Sequence, residues 1–240
     1  MAQFETVQSA GVGTRQAGLD EGLRAHMTKV YGLMAIGMAV TGAVAYGVGT
    51  NEALLQAIFA TPLKWVVMFA PLVVVMVFGA TLHRMSVTTA QAVFYGFSAL
   101  MGLSISYIFA IYTGMSIATT FATTSAAFAG LSLYGYVTKR DLSGFGTFLM
   151  MGVWGLVIAS IINIFLQSSA VQFAVSLLGV LIFAGLTAFD TQKIKNTYLQ
   201  MAQSGDQDWL GKSAIMGALT LYLDFLNMFM FLLQFMGDRR

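Results

Sequence analysis

Two acidic side chains fall where a carboxylate is hard to place. Asp224 lies in LTLYLDFLNMFMFLLQF, Leu219 to Phe235, ten residues into an apolar run and so about 15 Å along a helix. Asp190 closes the apolar run of AGLTAFDTQKIKN. A charged side chain at the middle of a membrane helix costs roughly 2.5–3.5 kcal/mol on insertion scales, so an acid kept there marks a functional site by default. The other acids, Glu5, Asp20, Glu21, Glu52, Asp141, Asp206, Asp208 and Asp238, fall in tails or loops. Asp190, at the end of its run, is equally readable as a solvated helix end.

Helical spacing gathers further polar groups beside these acids. At 100° per residue Ser213, Gly217, Thr220, Asp224, Asn227 and Gln234 share an arc of about 100°, away from Leu219, Leu223, Leu226 and Met230. Gln172, Ser176, Gly179, Thr187 and Asp190 form a comparable stripe on the preceding segment. Neither stripe can face lipid, so both should face the bundle interior or a water-filled cavity. Hydrogen bonding between helices explains Thr220 and Asn227 but needs no carboxylate. Two buried carboxyls in contact would share one proton and titrate in two macroscopic steps, as a pH sensor does. Depth opposes the pairing: Lys193 follows Asp190 by three residues, whereas Lys212 precedes Asp224 by twelve. Judged by those lysines the acids differ in depth by roughly 13 Å. Arg84 is a second candidate partner for Asp190 at the same face, although a basic anchor of the membrane helix explains it as well.

The elements that must position these groups are membrane helices. The 240 residues are 58% hydrophobic and 9% charged, with a mean hydropathy of +0.77. A soluble domain carries about a quarter charged residues. Seven segments are long and apolar enough to span: Val30–Val48, Trp65–Leu82, Val87–Tyr112, Met115–Val137, Gly146–Leu166, Val171–Phe189 and Ala214–Met236. Short connections make consecutive helices antiparallel neighbours in one all-α bundle, residues 29–240, after a polar tail of residues 1–28. Glycines at Gly96/Gly102 and Gly179/Gly185 read as packing notches. The distribution of Lys and Arg puts the N-terminus in the cytoplasm, with all but Lys64, Arg239 and Arg240 on that side. No short apolar core follows a basic start, so a cleaved leader is not expected.

Composition also narrows the chemistry. Cysteine is absent, which removes thiolate metal sites and cysteine nucleophiles. A net charge of +2 does not suggest a nucleic-acid partner. The last helix has no lysine for a retinal Schiff base, Leu-Tyr-Leu-Asp is not the Gly-x-Gly-Asp of intramembrane aspartyl proteases, and both histidines, His26 and His83, fall in flanks. Enzymatic activity and a resident cofactor are not expected.

AFDTQKIK at Ala188–Lys195 and LYLDFLNMF at Leu221–Phe229 resemble the signature segments of the Bax-inhibitor (transmembrane BAX inhibitor motif) family. YGYVTKRDLSGFGTFLMMG and ASIINIFLQSS resemble its bacterial members, and the resemblance covers the chain from about Leu23. It implies a seven-helix bundle with the last helix central and surrounded by the other six, in the bacterial inner membrane. It also implies a pH-sensitive calcium leak gated by a proton-sharing pair, which maps onto Asp190 and Asp224. A basic latch maps onto Arg84 in the His-Arg-Met-Ser turn. Thr187, Thr220 and Asn227 would line the polar path. Calcium prefers six to eight oxygen ligands, so these two carboxylates suit weak, transient binding of a passing ion. Some bacterial members are associated with a membrane-bound ATP-dependent protease. A regulatory, partner-binding role using the tail is therefore the alternative expectation.

Overall fold

Runs of apolar residues punctuated by good N-caps give this chain its helices. Ser86, Thr113, Ser168 and Asp206 each accept a hydrogen bond from a backbone N–H in the first turn of the helix that follows, satisfying donors that a helix start leaves open. The structure, a computed structural model, describes the backbone of residues 2–202 and 205–240 and the side chains from Gly18 onward within those limits. The helices are α1 (Ala2–Gly49), α2 (Glu52–Phe59), α3 (Leu63–Thr81), α4 (Val87–Ile105), α5 (Ile108–Ile111), α6 (Gly114–Val137), α7 (Ser143–Leu166), α8 (Ser169–Met201) and α9 (Gln207–Met236). A single 3₁₀ turn, Leu82–Arg84, joins α3 to α4.

Seven of these helices are long: α1, α3, α4, α6, α7, α8 and α9. Six pieces, counting α3 with its turn and α4 with α5, are apolar enough by length and composition to cross a membrane. The exception is α6, whose 24 residues could reach about 36 Å. Its hydropathy is diluted by Ser116, Thr120, Thr124 and Ser132, all buried inside the bundle. The chain is thus a multi-pass, all-α membrane protein.

The last helix is the axis of the bundle, as expected. In its most apolar stretch α9 is 61% buried, against 11% for α7 and 17% for α3. The ring around it is less even than six equal neighbours. Helices α1, α4, α6 and α8 pack on α9, while α3 leans mainly on α4 and α7 on α8. The outer pair accordingly present Trp65, Met76, Trp154 and Ile164 outward, as lipid-facing helices do.

Close approaches account for several glycines. A Cβ on Gly102 would meet Thr41 O at 2.5 Å, and one on Gly179 would meet the Phe231 ring at 2.5 Å. Gly185 faces Leu149 and Phe145, so three of the four expected notches are filled; Gly96 faces open space. Gly135 lies directly on the Ala188 backbone, two residues from Asp190.

The ends of the bundle are tied differently. Gln192 accepts from Leu142 N at 2.9 Å and donates to Arg140 O at 2.8 Å, pinning the α6–α7 loop to α8. At the other end the chain after α9 folds against the α5–α6 junction. Thr113 N donates to Asp238 O at 3.1 Å, Arg240 N to Ile111 O at 2.9 Å and Asp238 N to Ser116 Oγ at 2.9 Å. The last helix therefore crosses the whole bundle, leaving Arg239 and Arg240 at the end opposite Arg84, Arg140 and Lys193.

Residue 28 is not a structural boundary. Helix α1 runs through it unbroken, and Leu23, His26 and Met27 are buried. His26 lies on the Tyr198 ring at 4.8 Å, so the polar stretch from residue 18 packs on α8. Most of the polar tail expected to serve as a partner's handle, residues 1–28, lies outside the residues whose side chains are described.

Candidate functional site

Helix α8 resolves the depth conflict. It does not stop near Phe189 but runs 33 residues to Met201, which leaves Asp190 about 16 Å short of its end. The extension persists because Thr191, Gln192, Ile194 and Tyr198 remain buried, against α1 and the α6–α7 loop. A hydropathy window misses this, since Gln192, Lys193 and Lys195 break the apolar run while the helix still has a face to cover.

Asp190 and Asp224 consequently meet. Their relative exposures are 8% and 5%, and the two carboxyls face each other within hydrogen-bonding reach. A hydrogen bond between them requires one of them to carry a proton. Asp224 Oδ2 receives no hydrogen bond among the described residues, and the Asp190 carboxyl is the ionisable group that faces this side chain. Lys193, one turn further along α8, puts its charge within reach of Asp190.

The pair sits at the inner limit of a cavity of about 520 Å³. Exposed Asp206, Asp208 and His83 stand at its mouth, and Asp190, Thr220 and His26 lie deeper. Lys193 and Lys212 also line it, so water in this vestibule can solvate Lys193 below the level of Lys212. Lys212 is tied to Asp208 by an ion pair of 2.7 Å and donates to His83 O at 3.4 Å. Asp224, Thr187 and Asn227 do not line the vestibule.

Beyond the pair the polar stripes are closed. Thr187 donates to Phe183 O at 2.8 Å and Asn227 to Leu223 O at 2.9 Å, each back onto its own helix, as Thr220 on the vestibule side does to Met216 O at 3.0 Å. The stacked Phe183 and Phe231 rings, 5.9 Å apart, fill the space further along α8 and α9. At the far end the stripes meet again: Gln172 donates to Gln234 Oε1 at 3.1 Å and Ser176 to the same atom at 3.3 Å. There a second cavity of about 220 Å³ is lined by Tyr107, Tyr112, Gln172, Gln234 and Arg239. Two polar vestibules are thus separated by the acid pair and an aromatic layer.

Arg84 is not brought to Asp190. It is exposed on the 3₁₀ turn, its Nε donates to His83 Nε2 at 3.2 Å, and it makes no ion pair with Asp190 among the described residues. The described residues contain no cluster of three or more His, Cys, Asp or Glu able to hold a metal ion.

Two features escape the pattern of the sequence. His26, expected in a flank, is buried within the vestibule wall. Tyr222, two residues before Asp224, is wholly buried and meets Thr41 Oγ1 at 2.6 Å, while Thr41 lies 2.8 Å from Ser98 O. This node ties α1, α4 and α9 together directly behind the acid pair. A lone Thr in the middle of an apolar span is the only trace of it in the sequence.

This arrangement, a central helix carrying a buried acid paired across to its neighbour, defines a polytopic membrane protein with an internal carboxyl pair. Residues 23–240 match the family described as inhibitor of apoptosis-promoting Bax1, and the chain belongs to that family. It is 46% identical over 231 residues to an uncharacterized protein of Caulobacter vibrioides, covering 92% of each chain. A second uncharacterized protein, from Rickettsia prowazekii, is 46% identical over 221 residues, with the same coverage. The inner membrane protein YbhL of Escherichia coli is 44% identical over 220 residues, 91% of this chain and 94% of that one.

Proposed function

We propose that the chain is a passive calcium leak whose gate is the Asp190–Asp224 pair. The observation that carries this reading is the pair itself, placed where the water-accessible vestibule ends and the closed part of the bundle begins. A shared proton holds α8 against α9. Loss of that proton leaves two like charges in contact, a repulsion of about 4 kcal/mol at 4 Å and an effective dielectric of 20. That is enough to shift a two-state equilibrium by roughly a thousandfold. Separation of α8 from α9 would carry Thr187 and Asn227 off the aromatic layer and open the path between the vestibules. The carboxylates, with hydroxyl and amide oxygens, would bind calcium weakly enough to release it.

Arg84 would act as a latch only after a rearrangement of the turn that carries it. The E. coli relative's description as an inner membrane protein supports placement in a bacterial inner membrane. The basic residues at the Arg84 end favour that end, with the N-terminus, as cytoplasmic. The test is calcium entry into liposomes holding purified protein and an internal calcium dye. Downhill entry above that of empty liposomes is expected. No entry at any pH between 5 and 8 would remove the reading, and accumulation against a gradient would replace it with coupled transport.

A further inference from the structure

A third cavity, of about 620 Å³, opens sideways between α1 and α6. These helices touch each other little because both lean on α8 and α9. The crevice has a layered lining. At the basic end stand Arg24 and Tyr136, in the middle Met27 and Leu133, and about 10–12 Å further along the helices Tyr31 and Phe128. Lys195 does not line the crevice but backs its top layer: its Nζ donates to Tyr136 O at 2.7 Å and lies 5.4 Å from the Tyr136 ring. Arg24 and Leu133 are exposed, and the acids one turn outward, Asp20 and Glu21, do not line the crevice.

We propose that this crevice binds an anionic phospholipid, with the phosphate at Arg24 and Tyr136 and an acyl chain over Met27, Leu133 and Phe128. The charge and the layering commit the site to that occupant. A cation at an interfacial level with an aromatic and apolar slot beneath it, open to the bilayer, matches one lipid's headgroup and upper chain. A soluble ligand would leave Leu133 uncovered. The floor joins the site to the gate helix, because Ser132 Oγ lies 3.4 Å from the hydroxyl of Thr191, which donates to it and adjoins Asp190. The inference holds whether or not the acid pair conducts calcium.

Native mass spectrometry of the full chain, exchanged into palmitoyl-oleoyl phosphatidylglycerol or phosphatidylcholine, tests it. Wild type is expected to retain phosphatidylglycerol preferentially. Arg24→Ala should lower that preference about five-fold, the worth of one cation near an anionic surface. Lys29→Ala, on the same helix about 7.5 Å further along and outside the crevice, should leave it intact. Ala129→Trp, at an exposed position of the wall, should displace both lipids while the monomer keeps its elution volume. Equal retention of the two lipids by wild type, equal losses from the Arg24 and Lys29 variants, or a dimer in place of lipid adducts would each overturn the proposal.

Discussion

Removing either member of the acid pair should not be equivalent, because the two carboxyls face different surroundings. Asp190 lines the vestibule, whereas Asp224 does not and has an oxygen that no other donor satisfies. Asp224→Ala leaves Asp190 with water at hand, so the loss should lie near about 1 kcal/mol. Asp190→Ala leaves Asp224 enclosed without its partner, which should cost about 3 kcal/mol, the upper end for a buried polar group left unsatisfied. Removing both deletes the orphan, so the double variant should be more stable than the sum of the singles by about 1–3 kcal/mol. Unfolding in mixed micelles titrated with dodecyl sulfate at neutral pH gives the three differences. Additivity within about 0.5 kcal/mol, or a milder effect of Asp190→Ala than of Asp224→Ala, would refute the contact or its asymmetry.

Three further outcomes follow from the packing. Gly135→Leu places a side chain on the Ala188 backbone and should destabilise the fold by about 1–3 kcal/mol, while Gly130→Leu, which faces open space on the same helix, should be near neutral in the same titration. Tyr222→Phe should cost about 1 kcal/mol, because Thr41 keeps backbone carbonyls within bonding distance; a loss well above that would give the node a larger role than its geometry allows. Truncation after Gly237 removes the bonds to Ile111, Thr113 and Ser116. It should speed amide hydrogen exchange at Thr113 by releasing it to solvent; unchanged exchange there would show that the C-terminal contacts do not persist.

Much of this architecture can be read from the chain, because membrane solvent makes hydropathy and charge placement nearly decisive. The aspartate stripes on α8 and α9 were legible from helical spacing alone, and they do meet, at Asp190–Asp224 and at Gln172–Gln234. The reach of α8 was not. Its last turns are held by neighbours such as His26 on Tyr198, and local composition carries no record of a tertiary contact. Arg84 shows the complementary limit: spacing placed it at the right face, but the 3₁₀ turn directs it to His83. The unequal contacts around α9 were not legible either, since α3 and α7 are too apolar all round to be read as inner or outer. Burial separates them only once their neighbours are known.

In the proposed mechanism one proton shared by Asp190 and Asp224 sets the gate. Calcium entry into proteoliposomes between pH 5 and 8, compared for wild type, Asp190→Asn, Asp224→Asn and the double variant, tests it most directly. A pH-dependent rate is expected for wild type and a flattened profile for each variant, with the double no flatter than the singles. A variant that keeps the wild-type pH profile while remaining folded would contradict it.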